Sequence, residues 1–473
     1  MHRRTRIVCT LGPATDKPGV LEQVLKAGMN VARINLSHGA GEEHLGRIAR
    51  VRDLARDLPR PVAILADLPG PKLRVAQSKP VTLTTGASVV MGLDAGADIV
   101  LAEADVYRHL QAGQRVLFDD GRLQARVVEA GPNAAVLEVT VGGTLLSKKG
   151  INLPDTDLRI APLTAADAVA LATVAKAGID WLALSFVRHP EDAAAVREAA
   201  RWQGLFVPVL AKIERPEAVN EAPAIVDAFD GIMVARGDLG VEIPLEEVPH
   251  VQKRLIALAR MAGKPVITAT DMLDSMRTNP RPTRAEASDV ANAVYDGTDA
   301  VMLSGETSVG QYPVEAVAYM DRIVRQAEAH QIDDGPRHID VPRADLDDHL
   351  THITCTLAAA AQARAIVVPT VTGRTVQHLV RHRPRADIVA PCEDAGIRRV
   401  LALVWGVQAI PFTVAVSDAA DLLDAAVGSA FAQGAVAEGD RIVVLSGNPI
   451  ESGVRLPTLR VVRVGPGGVS REP

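Results

Sequence analysis

The chain has 473 residues, 48% of them hydrophobic, and a formal net charge of -6 at pH 7. That length exceeds the roughly 250–300 residues at which single cores stop growing, so two or three domains are expected. Aromatic residues make up 3% and the charges form no long single-sign run, which excludes a nucleic-acid track or base-stacking platform and favours small-molecule chemistry.

The chain opens on the basic Met1-His2-Arg3-Arg4, but the apolar stretch that follows breaks at Gly12-Pro13, too soon for a signal-peptide core. No run approaches the roughly 20 apolar residues of a membrane span, so a cytoplasmic, soluble protein is expected. From Arg6 onward short apolar strands alternate with amphipathic helices. Strands are predicted at 6–12, 30–36, 62–68, 181–187, 206–214, 231–237, 265–270 and 300–305, with helices such as 42–58, 190–203, 245–262, 283–296 and 313–330 between and after them. Eight βα units predict a closed parallel (β/α)8 barrel, residues 1–74 and 158–335. Thr283 and Glu286 form a capping box at one helix start, a structural role.

One interruption follows the third strand. Residues 75–157 carry short alternating runs at 81–84, 115–118, 123–128 and 135–139 between Gly, Asp and Asn turns, which predicts a small β-barrel lid domain. Leaving between a strand and its helix, it departs from the C-terminal rim and must overhang the mouth. After about 331 the composition turns polar, and strands at 365–369, 387–390, 408–412 and 441–446 predict an open, doubly wound α/β domain over 336–473. Cys9, Cys355 and Cys392 lie in or near apolar runs without metal-ligand spacing and are expected as buried thiols of a reducing compartment.

Barrel active sites form at the C-terminal strand ends. Strand two ends in Arg33, Asn35, Ser37 and His38, strand three in Asp67, strand five in Lys212 and Glu214, and strand six in Gly237 and Asp238. Strand seven ends in Thr270, and strand eight runs into Ser304 and Glu306. Alternate strand residues share a face, so Lys212 and Glu214 point the same way. A lone Lys-x-Glu is usually a solvated salt bridge; polar groups from six strands around one opening are a site. A cation beside two carboxylates suits metal-assisted phosphoryl transfer.

The stretches RIVCTLGP (6–13), MNVARINLSHG (29–39), KGINLP (149–154), KIERP (212–216), MVARGDLGVEIP (233–244) and RPTRAEASDVANAVYDGTDAVMLSGE (281–306) resemble the pyruvate kinase family, in its order and over nearly the whole chain. The resemblance implies phosphoryl transfer from phosphoenolpyruvate to ADP, giving pyruvate and ATP. It implies Glu214 and Asp238 as ligands of Mg²⁺, with Mn²⁺ as the alternative ion. Lys212 is then the cation at the transferring phosphoryl group and enolate oxygen, with Arg33 beside it. Gly237, Asp238 and Thr270 would hold the substrate carboxylate, while Thr270 and Ser304 order a proton-relaying water. Arg74 and Lys149, at the two lid hinges, with Asn35 and His38, would meet nucleotide phosphates. The family is usually a homotetramer, which this sequence permits.

Lys72 departs from the commoner pattern, in which a Glu at this position accompanies a need for K⁺. A fixed ammonium near Asp67 can stand in for the monovalent ion, so K⁺ independence is expected although Asn35, Ser37 and Asp67, which match the K⁺ site, are all present. Asp271 stands where the family often has Gln. In the C-terminal domain Thr370, Thr372, Gly373, Arg374 and Thr375 form a hydroxyl-rich turn at a helix start, similar to the family's sugar-phosphate effector loop; helix capping is the alternative. Arg381, Arg383 and Arg385 are expected to add positive charge to it, and Ser446-Gly447-Asn448-Pro449 to form its other wall. Two further readings compete. Barrel lyases or carboxylases acting on phosphoenolpyruvate or oxoacids do not predict the lid bearing Arg74 and Lys149, and a non-catalytic metabolite sensor would be free to lose Lys212, Glu214 or Asp238.

Overall fold

The structure, a computed structural model, describes residues 3–158, 160–334, 346–413, 419–448 and 456–472. Eight parallel strands close a barrel: β1 (Arg6–Thr10), β2 (Val31–Asn35), β3 (Ala63–Asp67), β4 (Trp181–Leu184), β5 (Val209–Ile213), β6 (Gly231–Ala235), β7 (Val266–Ala269) and β8 (Ala300–Leu303). Each pairs with its neighbours in sequence, and β8 returns to β1. The pleat assigns alternate residues to two cores. Ile7, Ile34, Ile64, Leu182, Ala211, Val234 and Val301 face the helices. Val8, Val31, Leu65, Trp181, Leu210, Met233, Ile267 and Met302 fill the interior.

All eight barrel strands are shorter than expected, strand four ending at Leu184 rather than 187. Strand five begins at Val209 rather than 206, because Pro208 supplies only its carbonyl to the ladder, accepting from Leu182 N at 3.0 Å, and has no N–H to give. Strand six stops at Ala235, and Arg236–Glu242 is a short helix instead of a loop. The periodic reading also passes over helices Val20–Ala27 and Ala165–Ala175; the second is nearly all apolar and so shows no face, although its Thr164/Asp167 capping box marks its start.

The lid leaves after β3 as expected. Hydrogen bonding arranges it as a six-stranded sheet plus a two-stranded ribbon (Val81–Leu83 with Gly143–Leu145), and it includes one helical turn, Ala104–Tyr107. Its two legs pair with each other: Arg74 bridges Gly150, and Val75 N donates to Lys149 O at 2.9 Å. The lid rests on the helix after β6, where Asn152 Nδ2 donates to Glu242 Oε1 at 2.7 Å and Arg215 links Glu242 (2.9 Å) to Leu153 O (3.2 Å).

In the C-terminal domain the parallel strands run in the order Val407–Pro411, Asp387–Cys392, Ala365–Val367, Arg441–Asn448, and two antiparallel strands not read from the sequence, Leu456–Val464 and Ser470–Arg471, follow. The expected polar linker falls largely on 335–345, outside the described residues, as does Pro449. This domain seals the barrel's lower end: Ala402 and Leu403 join the interior core, and Trp181 Nε1 donates to Val400 O at 3.1 Å. The three cysteines are free; Cys9 and Cys392 are buried and Cys355 half-buried. Among the described residues no helix is long and apolar enough to cross a membrane.

Candidate active site

The inward parity of each strand carries straight on from core to site. Two residues beyond Val8, Val31, Leu65, Ala183, Leu210 and Met302 stand Thr10, Arg33, Asp67, Ser185, Lys212 and Ser304. The register sets Thr10 beside Arg33 on neighbouring strands, and Asn35 beside Asp67. The polar ring is therefore the last layer of the same stack that fills the barrel.

Asp67, 1% exposed, ties the ring together. Arg33 Nε donates to its Oδ2 at 2.7 Å, and Arg33 Nη2 approaches the same oxygen at 2.6 Å. Lys212 Nζ lies 3.4 Å from Oδ1. Burial works to protonate this carboxyl, but the Lys212 and Arg33 charges override it and hold it below the usual range. Lys212 is 8% exposed; its ammonium donates to Ser185 Oγ at 2.8 Å and sits 2.9 Å from Glu214 Oε1. Burial alone would lower its pKa; Asp67 and Glu214 raise it, so it stays a cation.

Glu214 is fully buried, with Oε2 accepting from Phe186 N at 2.7 Å. Its Oε1, shielded from solvent, meets Lys212 as an ion pair outside hydrogen-bond geometry and has no other protein donor. Burial first, and the Asp238 charge after it, push the Glu214 carboxyl up against the pull of Lys212. A buried carboxylate with an unsatisfied oxygen and a second carboxylate near it fit a hard divalent cation that takes its remaining ligands from substrate and water. Among the described residues no group of three or more His, Cys, Asp and Glu is placed to hold a metal ion.

The rim beyond β6 and β7 is under backbone constraint. Thr270 and Asp271 adopt φ of 68° and 56°, and Phe186, after β4, 56°; such left-handed non-glycine residues cluster at functional sites. Arg236 fixes the first, donating to Thr270 O at 2.7 Å while it pairs with Asp289. Asp is among the non-glycine residues that adopt the left-handed region most readily, and Asp271 adopts it here. Gly237 N, expected to face the substrate carboxylate, donates instead to Thr270 Oγ1 at 2.6 Å. Asp238 N lies in the first turn of the helix Arg236–Glu242, where no intrahelical acceptor exists. Ser304 Oγ is shielded from solvent and has no protein partner.

The chain matches the family described as pyruvate kinase, barrel domain, over residues 2–317, and that described as pyruvate kinase, alpha/beta domain, over 348–462. It is 42% identical over 468 residues to a pyruvate kinase of Geobacillus stearothermophilus, covering 95% of this chain and 78% of that one. It is 42% identical over 457 residues to one of Methylorubrum extorquens, covering 94% of each. This chain belongs to the pyruvate kinase family.

The structure brings Arg33, Asp67, Lys212 and Glu214 into one buried cluster and leaves other expected residues apart from it. The Lys72 ammonium lies 3.3 Å from Asp238 and 3.6 Å from Asp120 of the lid, while the two oxygens of Asp67 are occupied by Arg33, Ser185 and Lys212. Lys149 pairs with Asp119 at 2.6 Å, and exposed Arg74 donates to Lys148 O at 3.1 Å. Ser37 and His38 are exposed, and Asn35 Oδ1 accepts from Ser37 N at 3.2 Å. In the C-terminal turn the hydroxyls cap the chain: Thr370 Oγ1 accepts from Gly373 N at 2.9 Å and Thr372 Oγ1 from Arg374 N at 3.5 Å. Arg381 and Arg383 do not add charge to that turn; they are buried against Asp348 and against Asp299 of the barrel. Sequence reasoning missed Thr10, Ser185, Asp119 and Asp120. Strand parity would have found the first two: Thr10 ends strand one and Ser185 follows directly on strand four.

Asp67→Ala leaves Arg33 and Lys212 as buried cations short of their shared counter-ion, and is expected to cost about 3–5 kcal/mol in denaturant unfolding. Ser185→Ala, removing one hydroxyl from Lys212, should cost about 1 kcal/mol; equal losses in the two variants would contradict the central place given to Asp67.

Proposed function

We propose that this rim transfers the phosphoryl group of phosphoenolpyruvate to ADP, giving pyruvate and ATP, with Lys212 and Arg33 as the fixed cations at the reacting group. The chain is a phosphotransferase of the pyruvate kinase family, and the observation that carries the assignment of roles is Lys212: a buried ammonium held charged by Asp67 and Glu214 at the open end of the barrel. Phosphoryl transfer needs little covalent help from the protein; it needs positioned positive charge where negative charge spreads over the transferring oxygens. Ser185 and Asp67 fix the Lys212 ammonium before substrate arrives, so no reorganisation is left for the reacting step.

Glu214 and Asp238 are the residues that would hold Mg²⁺, or Mn²⁺ in its place; when bound, the ion neutralises charge on the transferring group. Asp238 N, in the first turn of its helix, is the donor left for the substrate carboxylate, because Gly237 N is taken by Thr270. Thr270 Oγ already accepts from Gly237 N and donates to Ala269 O at 2.6 Å, so it shapes the carboxylate site. Ser304 Oγ, without a protein partner, is the hydroxyl free to order the water that protonates the enolate carbon. Arg74 and Lys149, on paired lid legs, would meet the nucleotide phosphates as the lid closes and water leaves. Assembly as a homotetramer is proposed on family membership.

Lys212→Met is expected to keep the fold and lose roughly 10³-fold or more in turnover, the scale of a lost transition-state cation; near-normal steady-state rates of pyruvate formation would overturn the assignment.

K⁺ independence is supported by the Lys72 ammonium standing among the rim carboxylates and by the occupancy of both Asp67 oxygens by protein donors. At matched ionic strength turnover should be the same in potassium and choline chloride, and Lys72→Glu should create a requirement for K⁺. Strong KCl activation of the unaltered enzyme would contradict this. Activation by a sugar phosphate is proposed at the 370–375 turn, where half-buried Thr370 and Thr375 and exposed Thr372 stand beside a helix start. A panel of sugar phosphates should raise activity at low phosphoenolpyruvate, and Thr375→Ala should abolish that rise without changing the basal rate.

A further inference from the structure

A cleft of about 470 Å³ opens where the lid's returning leg meets the loop between β4 and the helix Asp192–Trp202. Leu158, Ile160 and Ala161 line it from the leg, and Arg188, His189 and Asp192 from the loop. None of these residues belongs to the Asp67 cluster. The volume is that of a small-molecule pocket, roughly 300–1,000 Å³. The loop is pinned in place: Asp192 Oδ2 accepts from Arg188 N at 2.9 Å and from His189 N at 3.2 Å, and His189 Nδ1 meets Glu221 Oε1 at 2.9 Å.

Arg188 is the residue that a purely structural wall does not explain. It is 5% exposed, yet it hydrogen-bonds only through its main-chain N, and its Nε is sealed from solvent without a partner. Nη1 and Nη2 also find no acceptor among the described residues, but they are not sealed, so they meet the space that Arg188 lines. Carboxylates close enough to act on its charge are engaged elsewhere: Glu217 and Glu242 each pair with Arg215 at 2.9 Å, and Asp192 Oδ2 holds the loop. Burial, and after it the Arg215 charge, hold the Arg188 guanidinium below its usual value. Arginines this buried are almost always paired, because an isolated buried cation is costly. An anionic head group in the cleft would supply the missing partner, and the parallel donors of a guanidinium match a carboxylate bidentately. Asp192 and exposed Asp157 line the same cleft and disfavour a second negative charge, while Leu158, Ile160 and Ala161 suit a hydrocarbon body.

We propose that this cleft binds a small organic monocarboxylate, its head group on the terminal nitrogens of Arg188 and its apolar body against Leu158 and Ile160, and that the ligand ties the returning lid leg to the barrel. The test uses the full-length protein and sodium benzoate as the probe. Isothermal titration should give a Kd of roughly 1 mM or tighter for benzoate, with the neutral isostere benzamide and inorganic phosphate each roughly tenfold weaker or more. Arg188→Met keeps the alkyl stem and removes an unpaired buried charge, and should weaken benzoate by roughly tenfold or more; Arg188→Gln is the second variant should the first fail to fold. Crystals soaked in 4-bromobenzoate should place the bromine anomalous peak in the cleft, beside Leu158 and Ile160. No binding of benzoate, equal binding of benzamide, an unchanged affinity in the variant, or a bromine peak elsewhere each overturns the proposal. A peak in the cleft without binding in solution is binding at crystal concentration only and overturns it equally.

Discussion

The buried charge cluster around Asp67 is the constraint on which the barrel mouth depends. One fully buried carboxylate holds Arg33 through Oδ2 and approaches Lys212 through Oδ1, and Lys212 in turn meets Glu214. Taking four charges out of water is expensive, and each is tolerable only because the others are in place. Such a cluster contributes little to net stability, but it fixes geometry: Lys212 can neither lose its proton nor swing away without stranding a buried carboxylate. A phosphoryl-transfer site needs that kind of preorganised cation.

The rest of the molecule serves this layer from above and below. Beneath it the alternating interior residues form a packed stack closed by Leu403 and Trp181, so the floor of the site is rigid. Above it the lid's paired legs place Arg74 and Lys149 at the hinge, and Lys72 spans from Asp238 on the barrel to Asp120 on the lid. The carboxylate assigned to the divalent ion thus already carries a cation that also touches the lid. One side chain therefore joins the lid to a rim carboxylate of the barrel.

Much of this was legible in the sequence because barrel strands are buried on both faces and read as unbroken apolar runs, with polar residues appearing only where the strand reaches the mouth. Lys212 and Glu214 announced themselves by two-residue spacing, and Asp67 and Ser304 by ending apolar runs. Ser185 did not, because a serine followed by Phe186-Val187 looks like a continuing strand. The Arg236–Glu242 helix was hidden by its Gly-Asp-Leu-Gly composition, which reads as a turn until tertiary packing against the lid shapes it. Lys72 was expected near Asp67 and instead meets Asp238 and Asp120, since nothing local shows that Arg33 and Lys212 fill Asp67 first. Arg381 and Arg383 were assigned by nearness in sequence to the 370–375 turn; the fold directs them the other way, onto Asp348 and Asp299.

The most direct test of the central claim is the rate of pyruvate formation from phosphoenolpyruvate and ADP with Mg²⁺ present, coupled to NADH oxidation by lactate dehydrogenase. The account predicts robust turnover that needs both substrates and the divalent ion. No pyruvate under these conditions, from folded protein, would contradict it and return the weight to a lyase or a metabolite sensor built on the same barrel.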